Sequence, residues 1–143
     1  MTAMFAHVNI VHIASNMLFL LIFGMRTDEL FKAKEFCLIY FAAGLAGNLL
    51  TLLVGPYTFY ASAGALGAIF GLLGANTIYL RMILRQSVTN ALIYAFIFLM
   101  LSVSANVNIR AHFGGLVAGL VIGYLITTRS RVIRQKHKIT VVR

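Results

Sequence analysis

The chain has 143 residues, 61% of them hydrophobic and 10% charged, with a formal net charge of +9. That is too little charge to cover a soluble domain of this length, so the composition excludes one and indicates an all-α, polytopic membrane helix bundle. The apolar runs are continuous rather than alternating, which argues against a β-barrel, and the single Cys37 excludes an internal disulfide.

Five segments read as spans. The first covers about residues 9–25, the second 35–54, the third 64–81, the fourth 88–104 and the fifth 110–128. Residues 1–8 lack the basic region of a cleavable signal peptide. Gly55-Pro56 ends the second span, because proline cannot continue a helix. Residues 55–63 form an uncharged, partly aromatic connection. The fourth span contains no glycine and many bulky side chains, so it is expected to be the most loosely held helix. Residues 1–128 form one transmembrane domain, and residues 129–143 form a basic tail.

Charge sets the orientation. The 25–35 connection carries Arg26, Lys32 and Lys34, and the 81–88 connection carries Arg81 and Arg85. The tail carries Arg129, Arg131, Arg134, Lys136, Lys138 and Arg143. If all five segments span, every Lys and Arg except Arg110 lies on one side. That side, with the C-terminus, is expected to be cytoplasmic. The tail is then a lipid-facing anchor rather than a nucleic-acid patch. The N-terminus would lie outside with no signal to carry it there, so an upstream helix is expected.

This orientation starts the first, third and fifth spans at the outer face, where their polar residues form one layer. His12 and Asn16 are four residues apart and share a helix face. His7 and Asn9 lie just above them. His112 opens the fifth span, and a histidine inside a span marks a functional site by default. Ala111, Gly115, Gly119 and Gly123 recur every fourth residue, as do Gly67, Gly71 and Ala75 in the third span. Such stripes let helices approach closely.

The carboxylates limit the chemistry. Asp28, Glu29 and Glu35 are the only ones, and all map to the opposite side. A carboxylate pair and a Ser-His-Asp triad are thereby excluded from the histidine layer. There is no H-E-x-x-H, and three histidines as zinc ligands would lack a carboxylate behind them, so neither a metal nor another cofactor is expected. What remains is a histidine base with hydrogen-bond donors, the skeleton of an acyl-transfer site.

Three ordered motifs then resemble the rhomboid family of intramembrane serine proteases. They are H-V-N-I-V-H-I-A-S-N (7–16), G-A-L-G-A-I-F-G-L-L-G-A (64–75) and A-H-F-G-G-L-V-A-G (111–119). The resemblance covers nearly the whole chain, without the family's first helix. It implies His112 as general base, His12 and Asn16 as oxyanion donors and His7 as a loop-ordering residue. It implies that Gly64 bends the backbone toward a substrate carbonyl, and that Phe70 packs on the imidazole. The family pattern G-x-S-G puts the nucleophile at Leu66, with Gly67 following it. Leucine has neither a lone pair nor a transferable proton, so the chain as written is expected not to cleave by the family mechanism. A natural pseudoprotease, an engineered change and a one-base codon difference would each produce this leucine. The expected partners are transmembrane substrates or clients and the lipid bilayer, with no nucleic acid. The expected location is a prokaryotic cell membrane. One alternative is an active protease using Ser62 or another nucleophile. A small transporter or channel is a third reading, disfavoured by the lack of an intramembrane acid.

Overall fold

A computed structural model describes residues 2–7, 9–54, 64–90, 93, 97 and 108–141. The described elements are all helical: a short 3-10 turn (Thr2–Phe5), α1 (Ile10–Leu30), α2 (Ala33–Val54), α3 (Leu66–Met82) and α4 (Ile109–Val141). α1, α2 and the Ile109–Ser130 part of α4 are each long and apolar enough to cross a membrane. α3 has 17 residues, at the short end of what can span.

Local sequence explains the helix ends. The Asn9 side chain accepts the His12 N–H at 2.8 Å and caps α1. Glu35 accepts the Lys32 N–H at 2.9 Å and caps α2, so two residues suffice to link the first two helices. α2 stops at Val54, immediately before Gly55-Pro56. α1 runs five residues beyond the expected boundary at residue 25. Thr27 bonds back to the Phe23 carbonyl at 2.7 Å and Arg26 pairs with Glu29 at 2.6 Å, so polar residues continue the helix past its apolar stretch. α4 likewise continues through residue 129, the expected start of the basic tail, to Val141. The fourth expected span, 88–104, and residues 55–63 with Ser62 lie almost wholly outside the described residues.

α3 is the centre of the bundle. Every residue from Leu66 to Thr77 is buried, the signature of a helix covered on all sides. The contact register gives the directions. Gly67 meets Ala111, Gly71 meets Gly115 and Gly74 meets Gly119, so α3 and α4 run parallel. Gly64 lies on His12, and Asn76 donates to the Phe23 carbonyl at 3.2 Å, so α1 is also parallel to α3. α2 runs the opposite way: its Ala43 and Gly44 lie on Gly71 and Ala68, and its Gly47 lies on Ala111. The exposed flanks of α1, α2 and α4 are apolar, including Ile10, Leu21, Leu52, Leu53, Phe113 and Leu125. This is the pattern of helices facing lipid.

Candidate functional site

α1 ends the bundle with its polar residues. His12 is half-buried, and Asn16 one turn below it is fully buried. Neither Asn16 Oδ1 nor Nδ2 has a hydrogen-bond partner among the described residues. A buried amide left unpartnered costs about 1–3 kcal/mol, so a packing role alone does not account for it. The His7 ring meets the His12 ring edge-on at 5.5 Å, and His7 Nδ1 lies 3.1 Å from the Phe5 carbonyl oxygen.

Gly64 brings the start of α3 against this pair. Its φ of +101° is in the left-handed region that glycine tolerates. An added Cβ there would lie 2.6 Å from His12 Nε2 and 3.1 Å from Asn16 Nδ2. Only glycine satisfies both the backbone angle and the space. Two residues on, Leu66 begins α3, where backbone N–H groups have no partner within the helix. The Leu66 side chain is 8% exposed. It lines a cavity of about 10 Å³ between α1 and α3, with Phe19, Phe23, Ile69, Phe70 and Leu73. Such a cavity is at the lower size limit for one water and has an apolar lining that offers it no hydrogen-bonding side chain.

Phe70, one turn beyond Leu66, stacks on the His112 imidazole with ring centroids 5.0 Å apart and planes 19° from parallel. His112 is buried at 4% exposure. Its depth is set by backbone-to-backbone contact of α4 with α3. A Cβ on Gly115 would strike the Gly67 carbonyl oxygen, one on Gly119 the Gly71 carbonyl oxygen, and one on Gly123 would lie 2.6 Å from Ala75 Cα. Ala111 is wedged at the top of this stripe, its carbonyl facing both Gly47 and Gly67.

The structure therefore gathers His7, His12, Asn16 and Gly64 at one end of the bundle, and joins Leu66 through Phe70 to His112. Among the described residues no group of three or more His, Cys, Asp or Glu could hold a metal ion. Glu29 lies 17 residues beyond His12 on α1, roughly 25 Å along the axis. Glu29 and Glu35 line a separate cavity of about 270 Å³ at the other end, beside Lys32, Tyr79 and Ser130.

Three residues at the site were not anticipated. Met4 is 2% exposed and fills the space above Gly44 and Ala68. Asn108 and Thr51 bond to each other across α4 and α2. The Asn108 signal was readable, as an asparagine just before an apolar run is a helix cap. The sequence holds no comparable sign for its partner Thr51 or for Met4.

A glycine-packed bundle of membrane helices, with a buried histidine and an unpartnered asparagine near one end, defines an intramembrane protein with a polar site. The chain matches the Rhomboid domain over residues 1–129 and belongs to the rhomboid family. It is 36% identical over 125 residues to Rhomboid protease GluP of Bacillus subtilis (strain 168), a match covering 83% of this chain and 24% of that protein. It is 32% identical over 136 residues to RHOMBOID-like protein 5 of Arabidopsis thaliana, covering 86% of this chain and 42% of that protein. It is 30% identical over 132 residues to Putative rhomboid protease YdcA of Bacillus subtilis (strain 168), covering 87% and 64% respectively. The chain thus spans less than two thirds of the length of these relatives. No solved structure gives a significant match.

Proposed function

We propose that this chain is a rhomboid-type intramembrane serine protease scaffold, catalytically inactive as written, that still binds transmembrane helices. One observation carries the reading: the Phe70–His112 stack and the Gly64–His12–Asn16 group flank Leu66, which has no nucleophilic atom. In an active site of this kind a hydroxyl at position 66 would attack a peptide carbonyl and pass its proton to His112. The oxyanion would then accept hydrogen bonds from Asn16, His12 and the residue-66 N–H. With leucine there, the donors and the base remain, and the first bond cannot form.

The orientation follows from charge. The 25–35 segment with Arg26, Lys32 and Lys34, the Arg81 end of α3 and the Arg129–Arg143 region belong to the cytoplasmic side of a prokaryotic cell membrane, and the histidine layer to the outer side. The parallel directions of α3 and α4 support the reading of a fourth span between them and five in all. Substrates or clients would be transmembrane proteins entering from the bilayer.

The test is Leu66→Ser, in this chain and in one supplied with an upstream helix. The expected outcome is labelling by a fluorophosphonate probe and cleavage of a model transmembrane substrate, both lost on adding His112→Ala. The parent chain should do neither. Cleavage by the parent would overturn the reading, as would an inert Leu66→Ser in the six-helix form. Cysteines introduced at residues 58 and 138 should label from opposite sides of the membrane.

A further inference from the structure

Asn108 and Thr51 lie outside the three motifs, and the proposed chemistry does not use them. Asn108 immediately precedes α4 and stands four residues before His112. Its backbone carbonyl accepts the Ala111 N–H at 3.0 Å and the His112 N–H at 3.3 Å. Its Oδ1 lies 3.2 Å from the Ala111 nitrogen. So far this is an ordinary helix cap.

The other half of the side chain is not used for capping. Asn108 Nδ2 lies 3.0 Å from Thr51 Oγ1 on α2, and Asn108 Oδ1 lies 3.2 Å from the same oxygen. Thr51 Oγ1 is also 3.0 Å from the Gly47 carbonyl oxygen. A hydroxyl has one proton to give. If Thr51 gives it to Gly47, Oγ1 accepts from Asn108 Nδ2, and Asn108 Oδ1 remains free to take the Ala111 N–H. This assignment gives Thr51 Oγ1 one donor and one acceptor partner and makes one relay from the α2 backbone to the first turn of α4. Thr51 is buried at 8% exposure, where an alternative water partner is scarce.

The steric contacts follow the same line. A Cβ on Gly47 would strike the Ala111 carbonyl oxygen. One on Gly114 would lie 2.9 Å from Gly47 Cα and 3.1 Å from Leu50 Cβ. Residues 108–114 are therefore held to α2 by a hydrogen-bond relay at one end and close packing at the other, with His112 between them. Successive side chains on a helix are 100° apart, so rotation of this turn would swing the imidazole off Phe70.

We infer that Asn108 and Thr51 are positioning residues, which fix the rotation of the first turn of α4 and so hold the His112 imidazole on Phe70. The kinetic consequence rests on the function proposed above; the geometric one does not.

The full chain, labelled with ¹³C-histidine in detergent micelles, reads the geometry through the His112 ring resonance. That resonance is assigned by its loss in His112→Ala. Phe70→Leu marks where it falls without the stacked ring. Thr51→Val keeps the shape and the Asn108 cap but removes the hydroxyl. It should move the resonance toward the Phe70→Leu position, and Thr51→Ser should restore it. Asn108→Ala should move it at least as far, and the double variant no further than Asn108→Ala alone. Thr77→Val is the control. It deletes a buried hydroxyl that bonds back to the Leu73 carbonyl at 2.8 Å on α3, and it should leave the resonance in place. In a Leu66→Ser background, Thr51→Val should lower kcat about 10- to 100-fold, the effect of a small misplacement of a reacting group, with KM within about twofold. A folded Thr51→Val chain whose His112 resonance is unmoved would overturn the inference, even if Asn108→Ala fails to fold. Absence of activity in every Leu66→Ser chain would count against the proposed function alone, since the resonance still decides the positioning role.

Discussion

Gly115→Ala adds a single methyl group where α4 touches α3. Its Cβ would strike the Gly67 carbonyl oxygen, lie 2.7 Å from the carbonyl carbon and 3.1 Å from Gly67 Cα. Comfortable carbon–carbon contact is about 3.5–4.0 Å, so the helices must part by roughly 1 Å. The obstructing atoms are backbone and cannot rotate aside. Parting them also loosens Gly119 over Gly71 and Gly123 over Ala75, the next two turns of the same seam. Overpacking of this kind costs about 1–3 kcal/mol, and a rigid backbone contact belongs at the upper end. Alanine returns about 1 kcal/mol of helix propensity, leaving a net loss of about 2 kcal/mol. At about 2–4 °C per kcal/mol, Tm should fall by roughly 4–8 °C, followed by helical circular dichroism in detergent micelles. Gly24→Ala is the internal control. Its added Cβ would meet the side chains of Leu20, at 3.4 Å from Cδ1, and Phe36, at 3.7 Å from Cζ, so it should be neutral or gain up to about 1 kcal/mol. Equal Tm for Gly115→Ala and the parent would refute the close approach of α3 and α4. An equal fall for Gly24→Ala would show that any added methyl destabilises this bundle.

Asn16→Leu replaces an unpartnered buried amide by an apolar group of similar size, so it should raise Tm. In a Leu66→Ser background, Asn16→Ala should cost about 10²–10³ in kcat, the usual effect of deleting one oxyanion donor. A large destabilisation by Asn16→Leu would mean that the amide has a structural partner. Gly64→Ala combines a left-handed φ with a Cβ 2.6 Å from His12 Nε2, and should destabilise by about 1–3 kcal/mol while shifting the His12 ring resonance. An unshifted His12 would disprove that contact. Leu66→Ser removes most of a buried isobutyl group and should lower stability by about 2–4 kcal/mol even if it gains activity. No loss in chemical denaturation would show that Leu66 packs poorly.

Packing was the most legible part of the sequence. Small residues at every fourth position specify which faces of α3 and α4 meet, and the structure aligns Gly67, Gly71 and Ala75 with Ala111, Gly115, Gly119 and Gly123. His12 and Asn16 were readable as one helix face because four residues make about one turn. Helix ends were less legible. α1 passes through Arg26, Thr27, Asp28 and Glu29 to Leu30, because local side-chain bonds carry a helix beyond its apolar stretch. Charge alone had put these residues in a connection. The link between Asn108 and Thr51 was illegible for a different reason. The two residues are 57 positions apart, and only the antiparallel register of α2 on α4 brings them together.

Leu66 and Asn16 respond to opposite forces. Leu66 is buried among Phe19, Phe23, Ile69, Phe70 and Leu73, so leucine there adds to the α1–α3 contact that a serine hydroxyl would weaken. A chain shaped only for packing would gain in the same way at Asn16. Asn16 nevertheless keeps two buried polar atoms without a partner among the described residues. An unpartnered buried amide opposes stability by about 1–3 kcal/mol. Under the proposed function a bound peptide would satisfy both atoms, its carbonyl oxygen accepting from Asn16 Nδ2 and a backbone N–H donating to Oδ1. Under the proposed function, a leucine at position 66 beside an unsatisfied Asn16 is the state expected of a scaffold that binds without cleaving. Binding should show this directly. A transmembrane peptide that crosslinks beside Asn16 in the parent chain should lose most of that crosslink in Asn16→Leu and keep it in Leu66→Ser. Equal crosslinking in parent and Asn16→Leu would mean that the amide makes no contact with a client, and the binding half of the proposal would fall.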